Sequence, residues 1–94
     1  MVSFGHAGDG NVHLCVVRGG RTQEQWEEDR REVLASAYDK SSELGGLTSG
    51  EHGIGLSKKT YLKKASDPLI LQMMKQVKLS LDPKNILNPN KIFD

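Results

Sequence analysis

Ninety-four residues with 13 basic and 12 acidic side chains, a net charge of +1 and 36% hydrophobic content make one small domain. Such a chain buries only about 60–65% of its unfolded surface, so modest stability is expected. Acidic and basic residues are interspersed, which argues against nucleic acid as a partner, and no apolar run approaches the roughly 18–20 residues of a membrane span.

The N-terminus carries no basic stretch followed by an apolar one and a cleavage site, so a soluble protein that is not exported is expected. The single cysteine, Cys15, has no internal disulfide partner and agrees with a reducing compartment.

Residues 2–17 read as two strands joined at Asp9-Gly10, a pair suited to a two-residue type I′ turn. That turn pairs Gly8 with Asn11, Ala7 with Val12 and His6 with His13. The two imidazoles then share one face, with Cβ atoms about 4.5–5.5 Å apart; on one unbroken strand their odd separation would oppose them. Val12, Leu14 and Val16 take the other face, assigned to the core.

Arg18-Gly19-Gly20-Arg21 breaks the strand, and Thr22 with Gln25 forms a capping box for a helix to about Leu44. Trp26, Val33, Leu34, Ala37, Tyr38 and Leu44 fall mostly at helical spacing, and the charged run Glu27–Glu32 faces largely outward. Gly45 is a natural left-handed cap. Leu47-Thr48-Ser49 reads as a short strand. A second helix is expected over Lys58–Ala65, and a third runs from the N-cap Asp67 with Pro68 in its first turn to about Leu81. Ile70, Met73, Met74, Val77 and Leu81 form its expected buried stripe. Asp82-Pro83 stops it, and the apolar tail Asn85–Phe93 is expected to dock on the body or on another domain.

All three histidines lie in two glycine-rich segments, Gly5–His13 and Ser49–Gly55. Two histidines and a glutamate are ordinary ligands of a borderline divalent ion and leave positions open for substrate. An ion on His6, His13 and Glu51 can act as a Lewis acid, and His52 is then free for proton transfer. The plainer alternative is polar residues satisfying turn hydrogen bonds. Asp9 is equally a ligand candidate or a turn residue. Neither glycine segment has P-loop or dinucleotide spacing, although backbone amides can still cradle an anion. Lys58, Lys59, Lys63 and Lys64 read first as a solvated helix face and second as an attractor of an anionic substrate or phosphate. No Gly-x-Ser-x-Gly elbow is present, and Cys15 lacks an evident partner base.

Phe4-Gly5-His6-Ala7-Gly8-Asp9-Gly10-Asn11-Val12-His13, then Thr48-Ser49-Gly50-Glu51-His52-Gly53-Ile54-Gly55, then Asp82–Lys91, resemble in order and spacing the C-terminal part of FAD-linked oxidases. These vanillyl-alcohol-oxidase-type flavoproteins include the glycolate oxidase large subunit, D-lactate dehydrogenases and D-2-hydroxyglutarate dehydrogenase. The resemblance implies that residues 1–94 are the C-terminal portion of the cap (substrate) domain, with the FAD-binding domain absent. It implies an α+β fold, a small antiparallel sheet packed by helices, as a fragment of a ferredoxin-like cap.

It further implies zinc, manganese or iron on His6, His13 and Glu51, His52 as the base beside a small 2-hydroxy acid, Asn88 toward the FAD cofactor, and hydride passing to the flavin. The FAD-binding domain of the parent chain is the implied partner. The location expected is cytoplasmic, at the inner membrane face where partner subunits hold the enzyme there. A chain parted from its flavin domain is expected to be inactive alone and to form a homo-oligomer. The alternative is a stand-alone metal- or anion-binding module. Two departures from the family stand out: Cys15 where relatives acting on hydroxyglutarate-like acids often carry asparagine, and Asn90 in place of the glycine of Asn-Pro-Gly-Lys.

Overall fold

Alternating residues at the N-terminal end and helix-spaced apolar residues after it give, in a computed structural model describing residues 1–94, an α+β chain of two strands and three helices. In chain order these are β1 (Val2–His6), β2 (Asn11–Cys15), α1 (Gln23–Glu43), α2 (Lys59–Ala65) and α3 (Pro68–Leu81). They fall into two units, Met1–His52 and Gly53–Asp94.

In the first unit β1 and β2 pair antiparallel, with His6 opposite Asn11, Gly5 opposite Val12 and Phe4 opposite His13. The loop is therefore Ala7–Gly10, four residues rather than the expected two. The reason is local. A type I′ turn needs positive φ at both central residues, but of Asp9 and Gly10 only Gly10 (φ 67°) adopts it. The Asp9 amide instead donates to the His6 carbonyl at 3.1 Å, closing the turn two residues earlier. His6 thus lies diagonal to His13 instead of directly across from it. Because the register differs by two and not one, no side chain changes face.

Helix α1 starts as its sequence dictates. The Thr22 hydroxyl accepts from the Gln25 amide and the Gln25 side chain accepts from the Thr22 amide, a complete capping box. Gly45, at φ 84°, closes the other end, its amide donating to the Ser42 carbonyl at 3.0 Å. Trp26, Val33, Leu34, Ala37 and Tyr38 are half-buried while Leu44 at the helix end is exposed, and the Trp26 indole donates to the Val16 carbonyl at 3.1 Å. Leu47-Thr48-Ser49 forms no strand. Three residues with no strand neighbour to pair with cannot hold an extended ladder.

In the second unit Asp67 caps α3 by accepting from the Leu69 amide, with Pro68 in the first turn. The tail docks on this unit. The Ile92 amide donates to the Gly55 carbonyl at 2.7 Å, and Lys59 donates to the Asn90 carbonyl at 3.1 Å. Asn90 has φ 63°, the left-handed region that glycine favours and asparagine tolerates. Asn90 thus takes here the backbone conformation expected of a glycine.

No hydrophobic side chain is buried, and Asp82, at 5% exposure, is the one buried residue. This corrects two expected core faces. Val12 and Leu14 are exposed, as are Ile70, Met73, Met74, Val77 and Leu81 of α3. An amphipathic pattern shows that a face is made to be covered, without showing that the same 94 residues supply the cover. A two-stranded ribbon in particular cannot cover its own faces.

Candidate functional site

Cross-strand pairing places Phe4, His6, Asn11 and His13 on one face of the hairpin. The Glu51 loop of the same unit reaches that face. Glu51 Oε1 lies 2.9 Å from His13 Nε2 and 3.9 Å from His6 Nε2. One donor atom from each of the three residues falls within 4.8 Å of the others. Two ligands on a tetrahedral zinc with bonds of about 2.0–2.1 Å stand roughly 3.3 Å apart, so the two distances to Glu51 bracket what one ion requires. The imidazole and carboxylate donor set also suits zinc, manganese or iron. The residues fit a divalent ion.

His13 is the centre of the cluster. Its side chain is only 17% exposed, against 64% for His6 and 48% for Glu51. Phe4 stacks on it with ring centroids 5.0 Å apart and planes at 24°. His52 meets it edge-on at 5.1 Å, and His6 does so at 6.3 Å. All four residues singled out in the glycine-rich segments are thus brought together, and His52 is exposed beside the cluster. Asp9 is not among the clustered donors; its backbone serves the turn.

Two neighbours were missed in the sequence, although a signal existed for both. Asn11 and Phe4 each stand two residues before a histidine on its own strand, which on a pleated strand means the same face. Asn11 Nδ2 donates to Glu51 Oε1 at 3.0 Å.

Asn88 belongs to the second unit. It has φ 47° and lines an apolar cavity of about 810 Å³ with Met74, Val77, Leu81, Leu87 and Phe93. Of the four lysines at α2, Lys59 and Lys63 pair with the Asp94 carboxylate at 2.9 and 3.3 Å, and these two ammonium groups hold its pKa below the ordinary value. No helix is long and apolar enough to cross a membrane.

Two strand imidazoles, a loop carboxylate and a third imidazole beside them define a histidine–carboxylate centre of the kind that serves open metal sites and proton transfer. The chain belongs to the family described as FAD linked oxidases, C-terminal domain, whose model matches residues 1–92. It is 41% identical over 90 residues to a D-lactate dehydrogenase of Anaerostipes hadrus, covering 96% of this chain and 19% of that protein. It is 41% identical over 93 residues to glycolate oxidase subunit GlcD of Bacillus subtilis, covering 99% of this chain and 20% of the relative. With a D-2-hydroxyglutarate dehydrogenase of Stutzerimonas stutzeri the identity is 35% over 94 residues, 99% of this chain and 20% of the other. The chain spans about a fifth of the length of these curated relatives.

Proposed function

We propose that these residues form the substrate and metal side, the C-terminal portion of the cap domain, of a cytoplasmic flavin-dependent 2-hydroxy-acid dehydrogenase or oxidase. FAD is held mainly by a domain outside them, with Asn88 toward it. The observation that carries the reading is the convergence of His6, His13 and Glu51 with His52 against His13, in a chain whose relatives are named for D-lactate, glycolate and D-2-hydroxyglutarate.

In this reading His6, His13 and Glu51 hold a divalent ion, which supplies Lewis-acid polarisation of a substrate oxygen, and the flavin of the parent enzyme supplies the hydride acceptor. His52 accepts the proton of the substrate hydroxyl, a task suited to an imidazole, whose ring nitrogen can take up and release a proton. Its exposed position beside His13 leaves it open to solvent for proton release. Phe4 covers one face of the His13 ring and restricts its rotation.

Zinc-loaded chain titrated with D-lactate, glycolate and propionate tests this reading by calorimetry. The two hydroxy acids are expected to bind about tenfold or more tightly than propionate, which lacks the 2-hydroxyl. Equal affinity sinks the reading and leaves the alternative, a metal- or anion-binding module. Residues 1–94 tested by themselves are not expected to turn over a 2-hydroxy acid.

Self-association of the isolated chain is a second expectation. Phe4 and Val12 of the hairpin and, separately, the α3 stripe, Ile86 and Leu87 of the second unit are exposed, and exposed apolar surface of this kind ordinarily finds a partner. Light scattering at micromolar concentration is expected to return a mass above the 10.4 kDa of one chain. A clean monomer mass counts against it.

A further inference from the structure

We propose that Asn11 is a positioning residue for Glu51 and that Gly50 is what allows it to act. The proposal rests on the reading of His6, His13 and Glu51 as metal ligands. Asn11 opens β2 opposite His6, on the face that carries both imidazoles. Its Nδ2 donates at 3.0 Å to Glu51 Oε1, the same oxygen that approaches His13 Nε2. Across 40 residues of sequence it ties the loop carboxylate to the strand that bears His13.

The approach depends on a missing side chain. A β-carbon on Gly50 would lie 2.6 Å from Asn11 Cγ and 3.0 Å from Nδ2, closer than van der Waals contact allows. The amide therefore lies across a bare α-carbon, and a β-carbon at position 50 obliges it to shift. A β-carbon on Gly5 would in turn collide with the Asn11 carbonyl. Glycines thus admit Asn11 by its backbone on one side and by its side chain on the other.

A half-exposed glutamate has three rotatable side-chain bonds and loses rotamer freedom when held in one place. An amide donor that restrains it before the ion arrives removes part of that cost. Asparagine suits the role, since its NH₂ donates to the carboxylate and adds no charge. Aspartate at position 11 would set a second anion against Glu51.

Zinc affinity measured by calorimetry on the 94-residue chain tests the proposal through a double-mutant cycle. Asn11→Leu keeps the shape without the donor and is expected to weaken binding about 10–100-fold, the usual effect of losing a partner of a metal ligand. Gly50→Ala is expected to weaken it similarly, and the double variant no further than the worse single one, because both break the same bond. Val12→Ala, on the opposite sheet face, is expected to leave affinity unchanged.

Additive losses, or wild-type affinity in Asn11→Leu while His13→Ala loses binding, overturn the positioning role and leave the ligand assignment standing. Wild-type affinity in His13→Ala overturns the ligand assignment itself. A metal-free measurement judges the pairing independently. The side-chain amide resonance of Asn11 in the nitrogen-15 spectrum is expected to move in Glu51→Gln and in Gly50→Ala, and a resonance indifferent to both refutes the contact.

Discussion

Glu51→Ala is expected to lower the zinc affinity of the chain by at least a hundredfold, and Glu51→Gln by nearly as much. Glu51 is the only anionic donor in the cluster, and its Oε1 stands within reach of both imidazoles at 2.9 and 3.9 Å. Removing it leaves two neutral imidazoles to hold a dication. Loss of an outer partner of a metal ligand typically costs about 10–100-fold in affinity, so loss of the ligand itself sets that range as the minimum, or about 2.8 kcal/mol for a hundredfold. Glutamine preserves the volume and one carbonyl oxygen while removing the charge, so a near-equal loss identifies charge as the dominant contribution. Asp9→Ala is expected to leave affinity within about threefold, since Asp9 stands outside the cluster. Calorimetry on the three variants decides the matter: Glu51→Ala binding zinc as wild type does removes Glu51 from the ligand set.

The second large effect concerns stability and acid. Asp82 follows α3, and its carboxylate receives the Lys78 ammonium and the backbone amides of Ile86 and Leu87, at 3.1 and 3.0 Å from these two. Lys78 reaches on to the Leu87 carbonyl at 2.9 Å. The Lys78 hydrogen bond is the largest influence on Asp82, followed by desolvation in the opposite direction and then the two amides, and the balance holds its pKa below the ordinary 3.8. The folded chain therefore favours the charged form more than the unfolded chain does. This contribution to stability is complete above 3.8 and is lost as pH falls through the depressed folded value.

Asp94 is shifted in the same direction by Lys59 and Lys63, but it is 71% exposed, and salt screens an exposed pair strongly. Urea unfolding is expected to show stability falling below about pH 4. Asp82→Asn should lower the midpoint at pH 7 and flatten the acid limb more than Asp94→Asn does, with the Asp82 effect persisting at 1 M salt. If Asp82→Asn unfolds as wild type does at pH 7, the Asp82 carboxylate does not stabilise the turn after α3.

Asp82 also marks a limit of sequence reading. As half of Asp82-Pro83 it is plainly a helix stop, but nothing in that pair announces that Lys78, one turn earlier, and two amides four and five residues on converge on it. Hydrogen bonds that a turn makes to its own entrance depend on how the chain bends after α3. Asn85, Asn88 and Asn90 all take positive φ there, a backbone path that composition suggests only as the absence of a helix. The hairpin teaches the complementary point. Its loop is two residues longer than the Asp9-Gly10 pair predicts, yet His6 and His13 still share a face, because face depends on parity and parity is unchanged by an even shift.

Local and periodic features were legible in the residues alone. Thr22 and Gln25 set the start of α1, Asp67 and Pro68 that of α3, Gly45 the end of α1, and the strand alternation put both histidines on one face, since caps and pleats involve residues at most a few positions apart. Tertiary structure alone decided that Glu51 and His52, some 40 residues later, arrive at that face and that Asn11 across Gly50 holds the carboxylate there. It also decided that the apolar stripes of β2 and α3 stay uncovered. A periodic pattern specifies which side chains avoid water, while burial depends on whether another surface is brought against them, and spacing along one chain carries no record of that.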